Sequence, residues 1–383
     1  MILKQLSILL LFFILVNCKE NNGVQNESDA ETIEKTALSY ADGFSIENHQ
    51  GYKVLEIKSP WPKSEKTYRY ALINKESNSK INLNPSDFEA IINTPIQKIV
   101  VTSTTHIPAL DLLNVEKTLI GFPDTDFISS EKTRVLIDKG LIKNLGKNES
   151  INTEVLLELR PELVIGFGID GNNKTFDNIQ KAGIPVIFNG DWIEKSPLAK
   201  AEWIKVFGVL YNKEKESDSI FKTIENDYLE AQKIAEKATK RPTVLSGAMH
   251  KDIWYLPSGT SSEAILLKDA NADYLWSETT DKGSLSLNFE TVFDKAQDAD
   301  IWISPSYYVS LEAIEKANAH YTKFKAFKTK NIYSFADTKG KTGGVIYFEM
   351  GMARPDLVLK DLIKITHPEL LENYEPYFFK RLE

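Results

Sequence analysis

Cysteine occurs once in 383 residues, at position 18. A single thiol excludes a disulfide framework and any cysteine-clustered metal centre. Histidine is scarce as well. His49, His106, His250, His320 and His367 are scattered, and no His-Glu-x-x-His pair occurs. A Walker-type phosphate loop and a Gly-x-Ser-x-Gly nucleophile turn are both missing, which removes common nucleotide-hydrolysing and esterase chemistries. No strongly basic stretch stands out and the formal net charge is -8, which speaks against a nucleic-acid partner. The one long apolar run, Leu6 to Val16, is too short to span a bilayer comfortably. What is present is a composition of 42% hydrophobic and 26% charged residues, enough for real cores in two domains of ordinary size.

The apolar run follows Lys4, is interrupted only by Ser7 and suits the core of a signal peptide. It stops at Cys18. Leu15-Val16-Asn17-Cys18 resembles a bacterial lipobox, in which the thiol is diacylated and becomes the new N-terminus, although Asn17 departs from the usual small residue. The expectation is a signal peptide over 1–17 and a lipidated flexible tether over 18–39. The alternative is an ordinary signal peptide with an incidental cysteine. The polar tract Lys19 to Thr32 cannot bury itself. The expected address is the periplasm or cell envelope, with a lipid anchor in the membrane.

Past the tether, Tyr52–Ile57 and Tyr68–Ile73 flank a Pro-Trp-Pro turn at 60–62 and predict a β-hairpin in an extension over 40–97. Strands and helices then alternate. Strands are expected at Ile99–Val101, Thr118–Gly121, Leu163–Gly166 and Ile184–Phe188, with helices at Ile107–Leu113, Glu154–Leu159 and Phe176–Ala182. Alternation of this kind gives a mainly parallel sheet covered by helices, here an N-terminal lobe over 98–212. Leu198–Tyr211 reads as one helix. Lys213–Ala238 reads as another, with Ile220, Ile224, Tyr228, Ala231, Ile234 and Ala238 at helical spacing. This second helix, in a segment 213–241, is long enough to join two lobes. A second alternating set over 242–383 has strands at Thr243–Ser246, Ile301–Ser304 and Asn331–Phe335 and a final helix at Asp356–Ile365.

One pattern occurs twice. Ser150-Ile151-Asn152-Thr153-Glu154 and Ser286-Leu287-Asn288-Phe289-Glu290 each lead into a short amphipathic run and then an apolar strand. The asparagine can cap a helix, which leaves the glutamate in the first turn facing water. Each lobe therefore presents one carboxylate at an equivalent place.

Ligands of open α/β sheets lie outside the carboxyl ends of the strands. The loops there are rich in aromatics, hydroxyls and a few charges. They nominate Trp192, Met249, His250, Trp254, Tyr307, Tyr308, Lys341 and Arg354 as ligand contacts, a mix that suits a large, partly apolar ligand. His106 and His250 both follow predicted strands, but a loop residue or a ligand contact is the better reading for each than a metal site.

The repeat, the long helix after the first lobe and the ending Arg354-Pro355-Asp356 to Thr366-His367-Pro368-Glu369 resemble bacterial ABC-transporter substrate-binding proteins for iron-siderophores, haem and vitamin B12. The resemblance covers roughly Lys98 to His367. It implies two α/β lobes with mainly parallel sheets, one long rigid helix joining them and a ligand cleft between. It implies a binding protein and not an enzyme, acting as a monomer with ABC permease and ATPase subunits. By the same resemblance Glu154 and Glu290 dock on permease arginines. The implied ligand is a small-molecule metal chelate, with ferric siderophore first, cobalamin second and haem third; no cofactor is expected. The rival from another class is a chelatase-like metal enzyme of similar plan, which the lone cysteine and the export signal disfavour. Lys251, Lys282 and Lys339, with Lys341 and Arg354, are candidates to neutralise an anionic chelate.

Overall fold

The computed structural model describes residues 34–383 other than 77–80, 149, 172 and 282. The expected signal peptide, Cys18, most of the tether and Lys282 lie outside these residues. Among the described residues no helix is long and apolar enough to cross a membrane.

Short, wholly apolar runs form the centre of the N-terminal lobe because a strand covered on both faces has no polar side to show. In spatial order Val186–Phe188, Leu163–Gly166, Ile99–Val101, Leu119–Phe122 and Lys143–Asn144 make one sheet, parallel throughout. The C-terminal lobe repeats the plan with a different order. Asp273–Tyr274, Thr243–Ser246, Ile301–Ile303 and Ile332–Ser334 run parallel, and Lys380–Arg381 closes the edge antiparallel. That edge strand carries no apolar signal and was not expected. It is held by buried Asp361, which accepts from the backbone N–H of Tyr377, Phe378 and Phe379 at 2.8, 2.6 and 3.2 Å. A small antiparallel sheet of Ala248–His250, Ile253–Pro257 and Ser284–Leu287 is inserted after the first strand of this lobe.

The joining helix runs from Glu214 to Ala235, 22 residues, or about 33 Å at ~1.5 Å per residue. No glycine or proline interrupts it, so it has no built-in kink. Phe221 and Ile224, on its first half, belong to the N-terminal core; Tyr228, Ala231 and Ala235, on its second half, belong to the C-terminal core. It ends short of the expected Ala238: Lys237 and Ala238 donate their backbone N–H to Ile234 O and Ala235 O at 3.1 and 3.0 Å in a tighter turn, and Asn271 Nδ2 donates a second bond to Ala235 O at 3.1 Å.

Two expectations are corrected. The single helix expected over Leu198–Tyr211 is two, Pro197–Glu202 and Ile204–Leu210, broken at Trp203. Its indole donates to Glu194 Oε1 at 3.0 Å and its ring packs 5.0 Å from Phe44 of the extension. The extension itself is more than a hairpin. Glu34–Lys35, Phe44–Asn48, Tyr52–Lys58, Thr67–Asn74 and Ala90–Thr94 form a five-stranded sheet in that order, with the last pair parallel. Its inward residues, among them Ile46, Leu55, Tyr70 and Ile92, share one core with the N-terminal lobe.

Candidate functional site

In each sheet the strand order reverses once. In the N-terminal lobe the chain moves outward from Ile99–Val101 through Leu119–Phe122, then returns to the other side of Ile99–Val101 with Leu163–Gly166. In the C-terminal lobe the reversal falls between Thr243–Ser246 and Ile301–Ile303. A crevice opens outside the carboxyl ends of the strands at such a switch point, and ligands bind there. The segments at the two switch points are 102–106 and 167–171 in one lobe, and in the other Gly247 with the short strand Ala248–His250, and 304–310.

These loops carry large apolar side chains in water. Ile169 and Tyr307 are each 69% exposed. Phe127, after Leu119–Phe122, is 59% exposed, and Phe348 lies 6.1 Å from the Tyr307 ring. Exposed apolar side chains gathered at one edge of a fold mark a binding surface. Phe167 lies 5.8 Å from Trp192, whose Nε1 is buried without a hydrogen-bond partner. Ser304 and Ser306 both have left-handed backbones, at φ 54° and 55°, on either side of Pro305. Two such residues in three are a stored strain, which concentrates at ligand clamps. Tyr308 is half-buried, 6.4 Å from Tyr321.

The remaining nominated residues separate. Met249 and His250 sit on the strand Ala248–His250 beside the C-terminal switch point, Met249 half-buried and His250 exposed. Trp254 is a correction. It is fully buried, stacks 5.5 Å from Trp302 and donates its Nε1 to Ser246 O at 3.0 Å. It packs the core and offers no face to a ligand. Arg354 is also corrected, because Nε and Nη2 grip Asp356 at 2.8 and 2.7 Å. Asp356 is fully buried, so this fork satisfies a buried carboxylate and is not free to neutralise a ligand. Lys341 points across to the N-terminal lobe, 3.1 Å from Asp138 Oδ2.

Lys341 belongs to a strap over residues 338–350 that the sequence did not reveal. Glu349 accepts from the backbone N–H of Ser129 and Ser130 at 2.6 and 2.8 Å. Thr342 donates its hydroxyl to Asp126 O at 2.7 Å, and Ser129 donates its own to Gly344 O at 3.0 Å. The strap thus ties the two lobes on the side of Leu119–Phe122. Burial pushes the Glu349 carboxyl up to about 7, with nearby Asp111 adding to the rise and the two N–H bonds opposing it.

Deeper, a cavity of about 20 Å³ is lined by Thr105, Asp191, Lys200, Phe207, Ile224 and Met352, room for one water. Asp191 is buried there, its Oδ1 without a protein partner, and burial raises its carboxyl to about 6. His106 is wholly buried and burial lowers it to about 3, so the ring is neutral. Among the described residues no group of three or more His, Cys, Asp or Glu could hold a metal ion.

The twin motifs fold alike. Asn152 accepts from Val155 N at 3.1 Å and Asn288 from Thr291 N at 2.8 Å. Both glutamates are exposed in the first turns of the helices Thr153–Leu159 and Phe289–Ala296. Ile151 and Leu287, just before the caps, each pair antiparallel in a small added sheet.

A curated relative, the uncharacterized lipoprotein MJ0878 of Methanocaldococcus jannaschii, is 27% identical over 299 residues, covering 76% of this chain and 69% of its own length. Among solved structures, one described as a possible iron-binding (periplasmic solute-binding) protein from Staphylococcus epidermidis superposes with a TM-score of 0.56 at 18% identity, over 72% of this chain and 100% of that one. The periplasmic heme-binding protein HutB of Vibrio cholerae gives 0.53 at 16% identity, over 69% of this chain and 99% of its own. These likenesses show the two-lobed fold. The sequence profile described as "Periplasmic binding protein" matches residues 99–338, more than half of the chain, and the chain belongs to that family.

Proposed function

We propose that this protein is the solute-capturing subunit of an ABC importer and that its solute is a metal chelate with a broad apolar face, a ferric siderophore before cobalamin or haem. The observation that carries the reading is the pairing of switch points. Both strand reversals come with large exposed side chains at the carboxyl ends, Ile169 on one lobe and Tyr307 on the other. An apolar wall on each side supplies contact area, and a few polar groups supply orientation. The solved relatives described as iron- and heme-binding are consistent with a ligand of this class.

Glu154 and Glu290 are the docking carboxylates in this reading. Two exposed charges on separate lobes give register on a two-fold permease and raise the encounter rate. Cys18 is the lipid anchor, in keeping with a relative described as a lipoprotein. Such a tethered monomer stays near its permease in the periplasm or cell envelope. Arg354 and Lys341 are paired with carboxylates, and Lys251 and Lys339, the other nominated cations among the described residues, are exposed and would meet an anionic chelate.

The test is equilibrium titration of the mature protein with ferric siderophores, cobalamin and haemin, followed by tryptophan quenching. Saturable binding of a siderophore supports the first choice. Binding of cobalamin or haemin alone moves the choice within the class. Tight binding of a simple sugar or amino acid, with none of these chelates bound, refutes it.

A further inference from the structure

The N-terminal sheet lies before the part of the chain that the family profile matches. It is nonetheless fastened to the N-terminal lobe with unusual thoroughness. Five consecutive backbone N–H groups, Ser39 to Gly43, are taken by two carboxylates of the lobe. Glu202, wholly buried, accepts from Ser39, Tyr40 and Ala41 at 2.9, 2.8 and 2.9 Å. Glu194 accepts from Asp42 at 3.2 Å and Gly43 at 2.8 Å. Lys205, 3.0 Å from Glu202, offsets its charge. Charge-assisted bonds to backbone donors are among the stronger ones, and removing one partner leaves a buried charge exposed to loss.

The sheet reaches the site through its Pro60-Trp61 turn. Trp61 is 9% exposed, edge-on to Phe188 at 5.2 Å and to Tyr68 at 5.8 Å. Its indole lies across the backbone of the switch-point loop. A Cβ at Gly168 would sit 3.2 Å from its Cε3, and one at Gly171 3.6 Å from its Cζ2. Pro60 presses equally close on the next loop, 3.0 Å from the place a Cβ would take at Gly190. Gly168 and Gly171 give the braced loop more backbone freedom than other residues would, and the indole offsets it. The loop carries Phe167 and the exposed Ile169, and Phe167 packs on Trp192. The two close approaches favour glycine at 168 and 190, because a Cβ there would crowd Trp61 and Pro60.

We infer that the N-terminal sheet is a built part of the ligand site, with Trp61 as the positioning residue that fixes the loop 167–171 and so sets which ligand face the N-terminal wall accepts. The inference rests on the proposed site for its link to ligand choice, but the mechanical part stands alone. Trp61 touches the loop and does not need to touch the ligand.

The experiment compares the mature protein with Trp61→Ala and Trp61→Phe. Hydrogen exchange is followed at 167–171 and 189–193, with the strands 99–101 and 163–166 as internal reference. Affinity for haemin and for a ferric siderophore is measured beside it. Trp61→Ala should speed exchange in the two loops about tenfold or more while the reference strands keep wild-type rates, and Trp61→Phe should restore most of the protection. Any chelate that binds the wild type should bind Trp61→Ala about tenfold more weakly. Should Trp61→Ala fail to fold, Trp61→Phe still decides, through a smaller rise confined to the same loops. Unchanged loop exchange in a folded variant, or loosening spread evenly over the lobe, overturns the inference. Unchanged affinity despite a loosened loop overturns the link to ligand choice. If the wild type binds neither chelate, the proposed ligand class fails and the exchange comparison still judges the brace.

Discussion

The two lobes carry the same surface device on different frameworks. Asn152 and Asn288 cap equivalent helices, and Glu154 and Glu290 project from equivalent turns. Beneath them the strand orders differ, and so do the additions. One lobe shares its core with a five-stranded sheet that braces the site, while the other inserts a three-stranded sheet and recruits a C-terminal edge strand. The difference teaches that what recurs is what faces outward at a fixed spacing, whereas each interior solves its own packing. The joining helix then plugs one half into each core, so the spacing of the two carboxylates is set by a stiff rod.

Reversing both glutamates to lysine is the largest expected break of this symmetry. Uptake by a reconstituted transporter should fall by about two orders of magnitude. Ligand affinity should stay within about tenfold, or ~1.4 kcal/mol. Single reversals sharpen the comparison: equal losses mean that the lobes dock alike, and normal uptake by the double variant removes the docking role.

Next comes a contrast inside the C-terminal lobe. Trp254→Ala should cost about 3–5 kcal/mol in denaturant unfolding, since it empties a buried indole site. Tyr307→Ala should change stability by no more than ~0.5 kcal/mol yet weaken chelate binding. Equal stability losses would show that Tyr307 is not a free wall.

The strap gives a third test. In the folded protein Glu349 titrates at about 7, above its ordinary 4.5. Between those values the folded protein holds a proton that the unfolded chain has released, so stability falls as pH rises through that window. Asp191, at about 6, acts in the same sense, and variant and wild type must therefore be compared directly. Glu349→Gln can accept only one of the two N–H bonds and should be the less stable form near pH 5, but its deficit should shrink by roughly 1–3 kcal/mol between pH 5 and pH 8, at ~1.4 kcal/mol per unit. A variant that tracks the wild type at every pH contradicts the buried-carboxyl account.

The smallest effect belongs to the caps. Asn152→Ala and Asn288→Ala should each cost about 1 kcal/mol, and an unequal pair would show that one lobe leans on its cap more than the other.

What could be read from sequence was what local chemistry dictates. Ile99–Val101 and Leu163–Gly166 announce themselves because strands buried on both faces are continuously apolar. The twin caps are legible because an asparagine and its target N–H lie three residues apart. Trp254 misled because its strand alternates. Ile253 and Tyr255 are exposed while Trp254 and Leu256 are buried, and an aromatic pair does not say which face is inward. Arg354 misled because its partner, two residues on, is a carboxylate that only the fold buries. Glu349 and Trp61 were illegible, since the groups they meet lie far away in sequence. Ile169 carried a signal in principle: a large apolar residue between Gly168 and Gly171, just past a strand end.

The central claim is that one ligand sits between the two switch points. Anomalous diffraction from crystals of the mature protein grown with a ferric siderophore or with haemin locates the iron directly. The account predicts a single strong peak between the loop 167–171 and the loop 304–310, within contact of Ile169 and Tyr307 through the chelate. An iron peak bound anywhere else on the molecule, with that crevice empty, would contradict it.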